Sequence, residues 1–314
     1  MIKKILPLLL CLCMNTIHAS PIKLVVPVAP GATMDSIART LAPELAKKLG
    51  KDVIVENKAG ASGAIAMRQV INSEPDGLTL ALVNNGTLNM SPILNTDAGF
   101  SSSSFTSIGL VGISPLVLVV STKIPATNLK ELTEYARNNP GSMSWASPGT
   151  GSTLHLSGEL LKNNQNLDMV HVMYKGMSQA MIDLVEGRVT MVFDVANPVI
   201  TNFIELNKIR PIAVTGNKRI ESLATVATVK EQGYSFLQTD VWFGVSVSAK
   251  TPEPIVNQLR VALADVLENQ SVKEKLKQLG VGPSGVKYIE AQRYIDNERD
   301  RWNKVIKQAN IKVN

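Results

Sequence analysis

Ile22-Lys23-Leu24-Val25-Val26-Pro27-Val28-Ala29-Pro30-Gly31-Ala32-Thr33-Met34-Asp35 carries the reading on which the architecture turns. Its first five residues form a short, nearly continuous apolar run, as in a strand buried on both faces. Two prolines and a glycine break the run. Ile37, Leu41, Leu45 and Leu49 then recur on one helical face until Gly50 stops the pattern. A strand that passes through a tight turn straight into a helix is the building unit of an α/β fold. Pro43 falls inside the helical pattern, where a proline typically costs about 3 kcal/mol or introduces a kink.

The same unit repeats downstream. Strands are expected over 52–56 and 78–83, with a glycine turn over 60–63 and a helix over 64–72 between them. After Asn84-Asn85-Gly86-Thr87 the pattern loosens, and two separate strands are expected over 107–111 and 116–120. A second set starts near Lys123, with helices over 128–138, 152–162 and 178–186 and strands over 143–146, 169–173, 189–193 and 212–214. The tail holds a strand over 241–247 and a helix with Ile255, Leu259, Leu263 and Val266 on one stripe. Ser271 and Glu274 have the spacing of a capping box for a further helix that Gly280 would end. These last helices need a sheet to cover, and the first set is the shorter one. The chain is therefore expected to cross to a second domain near residue 121 and return near residue 240. Residues 21–121 with 240–314 would form one α/β domain and 122–239 the other, joined by a two-strand hinge with a cleft between them.

Residues 1–20 read as an export signal: Lys3 and Lys4, an apolar run over 5–13, and a small residue, Ala19, where a peptidase would cut. The expected location is therefore the periplasm. The run is about half the roughly 20 residues needed to span hydrocarbon. Leu10 and Leu12 precede Cys11 and Cys13, where lipoprotein processing needs a small residue. These are the only two cysteines, so the mature chain would hold no thiol, disulfide or cysteine-ligated metal. Loss of Lys3 and Lys4 takes the formal charge from +6 to +4. The charges are interspersed, with no basic stripe carrying aromatics, which argues against nucleic acid and leaves a mild field suited to small anions.

In open α/β sheets, ligands sit outside the carboxyl ends of the strands. Two strand-to-helix loops stand there: Pro30-Gly31-Ala32-Thr33-Met34-Asp35 and Ser147-Pro148-Gly149-Thr150-Gly151-Ser152-Thr153-Leu154-His155. Each would aim free backbone amides and the positive end of a helix at the cleft, an anion cradle without an arginine. Asn85 and Thr87 follow one strand, Tyr174 and Lys175 follow another, and Asp194 closes the strand over 189–193, so all are candidates for neutral or polar contacts. Other chemistries find little support. The glycine loop over 149–154 lacks the third glycine of a dinucleotide fingerprint. There is no Gly-x-Ser-x-Gly elbow, and His155 and His171, sixteen residues apart, lack metal-ligand spacing on a helix.

Taken in order, the stretch over 30–35, Val55-Glu56-Asn57-Lys58-Ala59-Gly60-Ala61-Ser62-Gly63, Pro75-Asp76-Gly77-Leu78-Thr79-Leu80, the run from Gly149 to His155, Val170-His171-Val172-Met173-Tyr174-Lys175-Gly176 and Trp242-Phe243-Gly244 resemble the successive signature blocks of the Bug family. These are the TctC-like extracytoplasmic solute receptors of tripartite tricarboxylate transporters. The resemblance implies a type II periplasmic binding protein fold, no catalysis and no cofactor. It further implies a small carboxylated ligand (dicarboxylate, tricarboxylate, acidic amino acid or aromatic acid) handed to the membrane subunits of a transporter. A monomer is expected. The rival is a sensory receptor of the same fold signalling to a membrane kinase, with a secreted enzyme acting on a carboxylic acid as the outside alternative.

Carried over residue by residue, the family's carboxylate site falls on Gly31, Ala32 and Thr33 and on Thr150, Ser152, Thr153 and His155, while Asp194 matches a family position at a strand end. Where the family usually has Pro-Gly-Gly, this chain has Pro30-Gly31-Ala32. If the second glycine needs positive φ, Ala32 would be strained or would trim the pocket. Each residue has a plainer reading beside this. Asp35 reads as a helix N-cap, His155 as a ligand contact or a local cap, His171 as structural, Lys175 as a surface charge, and Trp242 as hinge or core packing.

Overall fold

The computed structural model describes residues 20–308, so the export-signal reading falls almost wholly outside the described residues. In chain order the elements are β1 (Ile22–Val26), α1 (Thr33–Leu49), β2 (Val53–Asn57), α2 (Ala64–Ile71), β3 (Thr79–Asn84), α3 (Ser91–Leu94), β4 (Phe105–Ser121), α4 (Leu129–Asn138), β5 (Met143–Ser147), α5 (Thr153–Gln165), β6 (Met169–Met173), α6 (Met177–Glu186), β7 (Met191–Val195), α7 (Pro198–Glu205), β8 (Ile209–Val214), β9 (Asp240–Ser248), α8 (Glu253–Glu268), α9 (Gln270–Gln278) and α10 (Ala291–Gln308). The strand order is β2-β1-β3-β9-β4-β7-β5-β6, with β8 also on β4.

β4 organises the sheet. Its first part, Phe105 to Pro115, pairs antiparallel with β9, which continues through β3 and β1 to β2. From Leu116 to Ser121 it changes partners and pairs antiparallel with β7 and β8, and β7 continues in parallel to β5 and β6. One strand thus belongs to two half-sheets. The two strands expected over 107–111 and 116–120 are this single 17-residue strand, and register shifts at Ser107/Gly109 and Leu110/Gly112 absorb the bend. The apolar runs are continuous because both sheet faces are covered. In β1, Leu24 and Val26 join the cluster under α1, α8 and α9, while Val25 joins the one under α2 and α10. In the second half-sheet the first cluster continues under α4 and α5, and Val192 and Ala146 face a third cluster with α6 and α7.

Pro43 is exposed, and α1 runs through it without interruption. A proline on the solvent face leaves the Arg39 carbonyl open to water instead of burying it unpaired. The capping box over 271–274 is corrected: α9 starts two residues earlier, with the Asn269 side chain accepting from the Ser271 amide. Three helices had no counterpart among the expected elements: the single turn α3, and the longer α7 and α10. α7 opens on Asn197, which accepts from the Val199 and Ile200 amides, with Pro198 at its first position. α10 is mostly polar, and among the described residues its buried stripe is Ala291, Ile295, Trp302 and Ile306.

Candidate functional site

The two strand-to-helix loops end in helices with open starts. At α1 the N-cap is Ala32, extended at φ −76°, with no side-chain cap. The positive φ of this turn sits one residue earlier, on Gly31 at +84°. Ala32 is therefore unstrained, and its methyl needs no relief. The Thr33, Met34 and Asp35 amides have no acceptor among the described residues, as expected for the first turn of a helix without a capping side chain. The Thr33 hydroxyl likewise has no partner among the described residues.

Asp35 is not the N-cap. It lies in the first turn, 3% exposed, and reaches back to accept from the Gly31 amide at 2.9 Å. Its other donors are Arg39 Nε at 3.0 Å and Asn57 Nδ2 at 3.0 Å. Burial alone would raise this carboxyl, but the bonds from Arg39, Gly31 and Asn57 outweigh it and hold it below the usual carboxylate range. Asn57, at the end of β2, also donates to the Val28 carbonyl at 3.1 Å and so ties both ends of the loop.

The second loop is built differently. Gly149 and Gly151 take φ of +143° and +83°, a region that favours glycine. Ser152 caps α5, accepting from the His155 amide at 3.1 Å and donating to the Gly149 carbonyl at 2.8 Å. The Thr153 and Leu154 amides, and the Thr150 amide and hydroxyl, have no partner among the described residues. Below the loop lie three rings, Trp145, His171 and His155, with centroid separations of 5.1 Å and 4.4 Å along that order. Burial first, then the charges of His171 and Lys162, push His155 down to about 3. Burial and Lys162 push His171 down to about 4.

The loops meet. Ser62 Oγ, beside α2, donates to the Thr150 carbonyl at 2.9 Å. A methyl on Gly86 would stand 3.3 Å from Ser152 Cα, and one on Gly151 would stand 3.3 Å from Leu94 Cδ1. Between them, Thr153 Oγ1 donates to Asn85 Oδ1 at 3.0 Å, and Asn85 Nδ2 donates to the Asp240 carbonyl at 2.9 Å. Asn85 is wholly buried and thus joins the start of α5 to the first residue of β9. Ser62, Asn57 and Gly86 escaped sequence reasoning; only the Asn-Lys-Ala-Gly and Asn-Asn-Gly runs hinted at turns there.

The remaining candidates separate. Thr87 is buried, with its hydroxyl turned to Asn84. Tyr174 donates its hydroxyl to Asp183 at 2.7 Å, and burial together with that bond raises it to about 12. Lys175 is exposed, and Trp242 is 1% exposed within the core cluster under α2 and α10. Asp194, 8% exposed, is the penultimate residue of β7, and the amide of Val195 after it donates to its Oδ1 at 2.8 Å. Its Oδ2 has no partner among the described residues, and burial pushes the group up to about 7 against the pull of that amide. Among the described residues, no group of three or more His, Cys, Asp or Glu side chains could hold a metal.

Two half-sheets sharing one strand, with helix starts that carry unpaired amides beside the end of β3, define a solute-binding protein of the periplasmic receptor type. The family model of the tripartite tricarboxylate transporter family receptor matches residues 37–311, and the chain belongs to that family of binding proteins, which are not enzymes. The chain is similar to the solved periplasmic binding protein BugD, at 33% identity and TM-score 0.84 over 93% of this chain and 98% of that one. It is also similar to Rhodopseudomonas palustris MatC with bound malate, at 28% identity and TM-score 0.85 over 91% and 98%. A third likeness is to R. palustris Rpa4515 with adipate, at 33% identity and TM-score 0.86 over 93% and 98%. Receptors of this family are periplasmic.

Proposed function

We propose that the protein captures a small carboxylated solute between the starts of α1 and α5 and delivers it to a tripartite tricarboxylate-type membrane transporter. The carrying observation is that the starts of α1 and α5, both beside the end of β3, each carry unpaired amides and a hydroxyl, from Thr33 on one side and Thr150 on the other. Helix starts present partial positive charge and oriented donors, which suits a carboxylate that must be released again. Malate and adipate in two structural neighbours support the dicarboxylate class. Two units, 21–121 with 240–314 and 122–239, would close on the solute about a hinge where β4 exchanges partners. In this reading the first twenty residues are removed near Ala19 and the receptor acts as a monomer.

The test is a thermal-shift panel of carboxylic acids with matched neutral amides, since a ligand that binds only the native state raises the melting temperature. A rise with one or a few acids and none with their amides is the expected result. No rise with any acid, for folded protein free of copurified ligand, would remove the carboxylate reading. The sensory reading differs in partner rather than in site, and a pull-down with reconstituted membrane subunits separates the two.

A further inference from the structure

We propose that His155 and His171 are positioning residues that hold the 147–153 loop in its donor-presenting form from beneath. Its consequence for solute capture rests on the carboxylate reading; the hydrogen bonding itself does not. The resemblance places His155 among the carboxylate contacts, but its side chain is 4% exposed and turned inward.

Each loop glycine is tied to one imidazole. His155 Nδ1 accepts from the Gly151 amide at 3.3 Å. His171 Nε2 lies 2.7 Å from Ser147 Oγ, which accepts from the Gly149 amide at 3.1 Å. Gly149 and Gly151 have no side chains with which to anchor themselves, and both hold positive φ. Without the two rings, the Gly151 amide would lose its acceptor and Ser147 Oγ, which accepts from the Gly149 amide, would lose its partner beneath the loop. Trp145 stacks on His155 at 20° and packs tilted at 33° against His171, which restricts the planes of both rings.

The Gly151 bond needs a lone pair on Nδ1, which puts the proton of a neutral His155 ring on Nε2, 3.7 Å from Glu159 Oε1. A proton on Nδ1 would set donor against donor. The charged and titratable neighbours of the rings are few. Glu159 and Lys162 lie on the same helix as His155, the two imidazoles face each other, and Lys162 stands 5.8 Å over Trp145. Burial keeps both rings neutral at pH 7.

The experiment uses the full mature chain labelled with nitrogen-15. Amide hydrogen exchange at Gly149 and Gly151 and the imidazole nitrogen shifts are read at pH 7, with thermal unfolding as the check on folding. His155→Asn keeps an acceptor where Nδ1 stood, and His171→Gln keeps a polar group where Nε2 stood. The alanine variants keep neither. Gly151 exchange is expected to rise roughly tenfold in His155→Ala, the effect of losing one hydrogen bond, and to return close to the parent rate in His155→Asn. Gly149 should behave alike for His171→Ala and His171→Gln, while amides at the start of α1 stay unchanged. Unchanged Gly151 exchange in His155→Ala, or an Nδ1 shift showing a bound proton in the parent protein, would overturn the proposal. Should the alanine variants fail to fold, the nitrogen shifts of the parent and the exchange rates in the Asn and Gln variants decide it. A dicarboxylate panel run on the same proteins tests the function separately. Absence of any melting shift with exchange still following the imidazoles would sink the carboxylate reading and leave the positioning role standing.

Discussion

At the start of α1 the loop is braced by ions, and at the start of α5 by neutral rings and hydroxyls. Asp35 works with Arg39, whose side chain is 55% exposed, so the cation keeps its water while the buried carboxylate is compensated for its desolvation by three donors. His155 and Ser147 are buried, where an unpaired charge would cost several times more than a hydrogen bond returns. Two loops of the same geometry are therefore held by the electrostatics their surroundings allow. The first tolerates acid until a carboxylate titrates; the second depends on groups that must stay uncharged.

The dry character of the second half is tested hardest at Asp194. Its raised pKa means that its neutral form is favoured in the fold: this contribution is fully present below about 3.8 and lost as pH rises through about 7. Asp194→Asn should therefore be more stable than the parent at pH 8, by up to about 4 kcal/mol at 1.36 kcal/mol per unit, with the gap closing towards pH 4. Urea midpoints across that range check it, and equal midpoints at pH 8 would show that the carboxyl is better solvated than its burial implies.

Next comes the packing under α5. A methyl on Gly158 would fall 2.2 Å from Trp145 Nε1, so Gly158→Ala must move the helix or the ring. A loss of about 1–3 kcal/mol is expected from overpacking. Exchange should rise at Gly149 and Gly151 and stay level at the start of α1; an equal rise in both loops would mean that they are not independently braced.

At the first loop, Asp35→Ala leaves the Asn57 amide and the Gly31 amide without their acceptor, at a cost of about 1–3 kcal/mol measured by denaturant unfolding. The two loops should also part company in acid. The histidines, lowered in the fold, contribute stability that is complete above about 6.5 and lost as pH falls towards about 3 to 4, because the unfolded chain takes up protons first. Asp35 contributes stability above about 3.8, lost only as pH falls through its still lower folded value. Replacing His155 by Asn should thus flatten the stability curve between pH 6.5 and 4, and Asp35→Asn should leave that interval alone.

The smallest difference lies between neighbours. Gly31→Ala puts a side chain at φ +84° and should cost about 1–2 kcal/mol, whereas Ala32→Gly at φ −76° should cost about 0.5–1 kcal/mol through added freedom in the unfolded chain. Similar costs at both positions would mean that the turn relaxes around either residue.

Local patterns were enough for the α/β class, for β1 leading into α1, for the glycine turn before α5 and for Gly50 ending α1 in the left-handed region. Such features depend on residues a few positions apart, and side-chain period and backbone freedom are properties of the chain itself. The merging of two strands into β4 was not legible, because a bend absorbed by register shifts leaves no break in an apolar run. α10 was not legible either, since its four buried apolar residues are sparse among polar ones and only the surface it covers marks them as one stripe. The same limit governs the site. The sequence by itself determined that two glycine-bearing loops would open onto helix starts. Only the tertiary structure decided that Asn85 would meet Thr153, that Ser62 would reach Thr150, and that two histidines sixteen residues apart would pack against Trp145, for these contacts join segments whose separation along the chain encodes no distance in space.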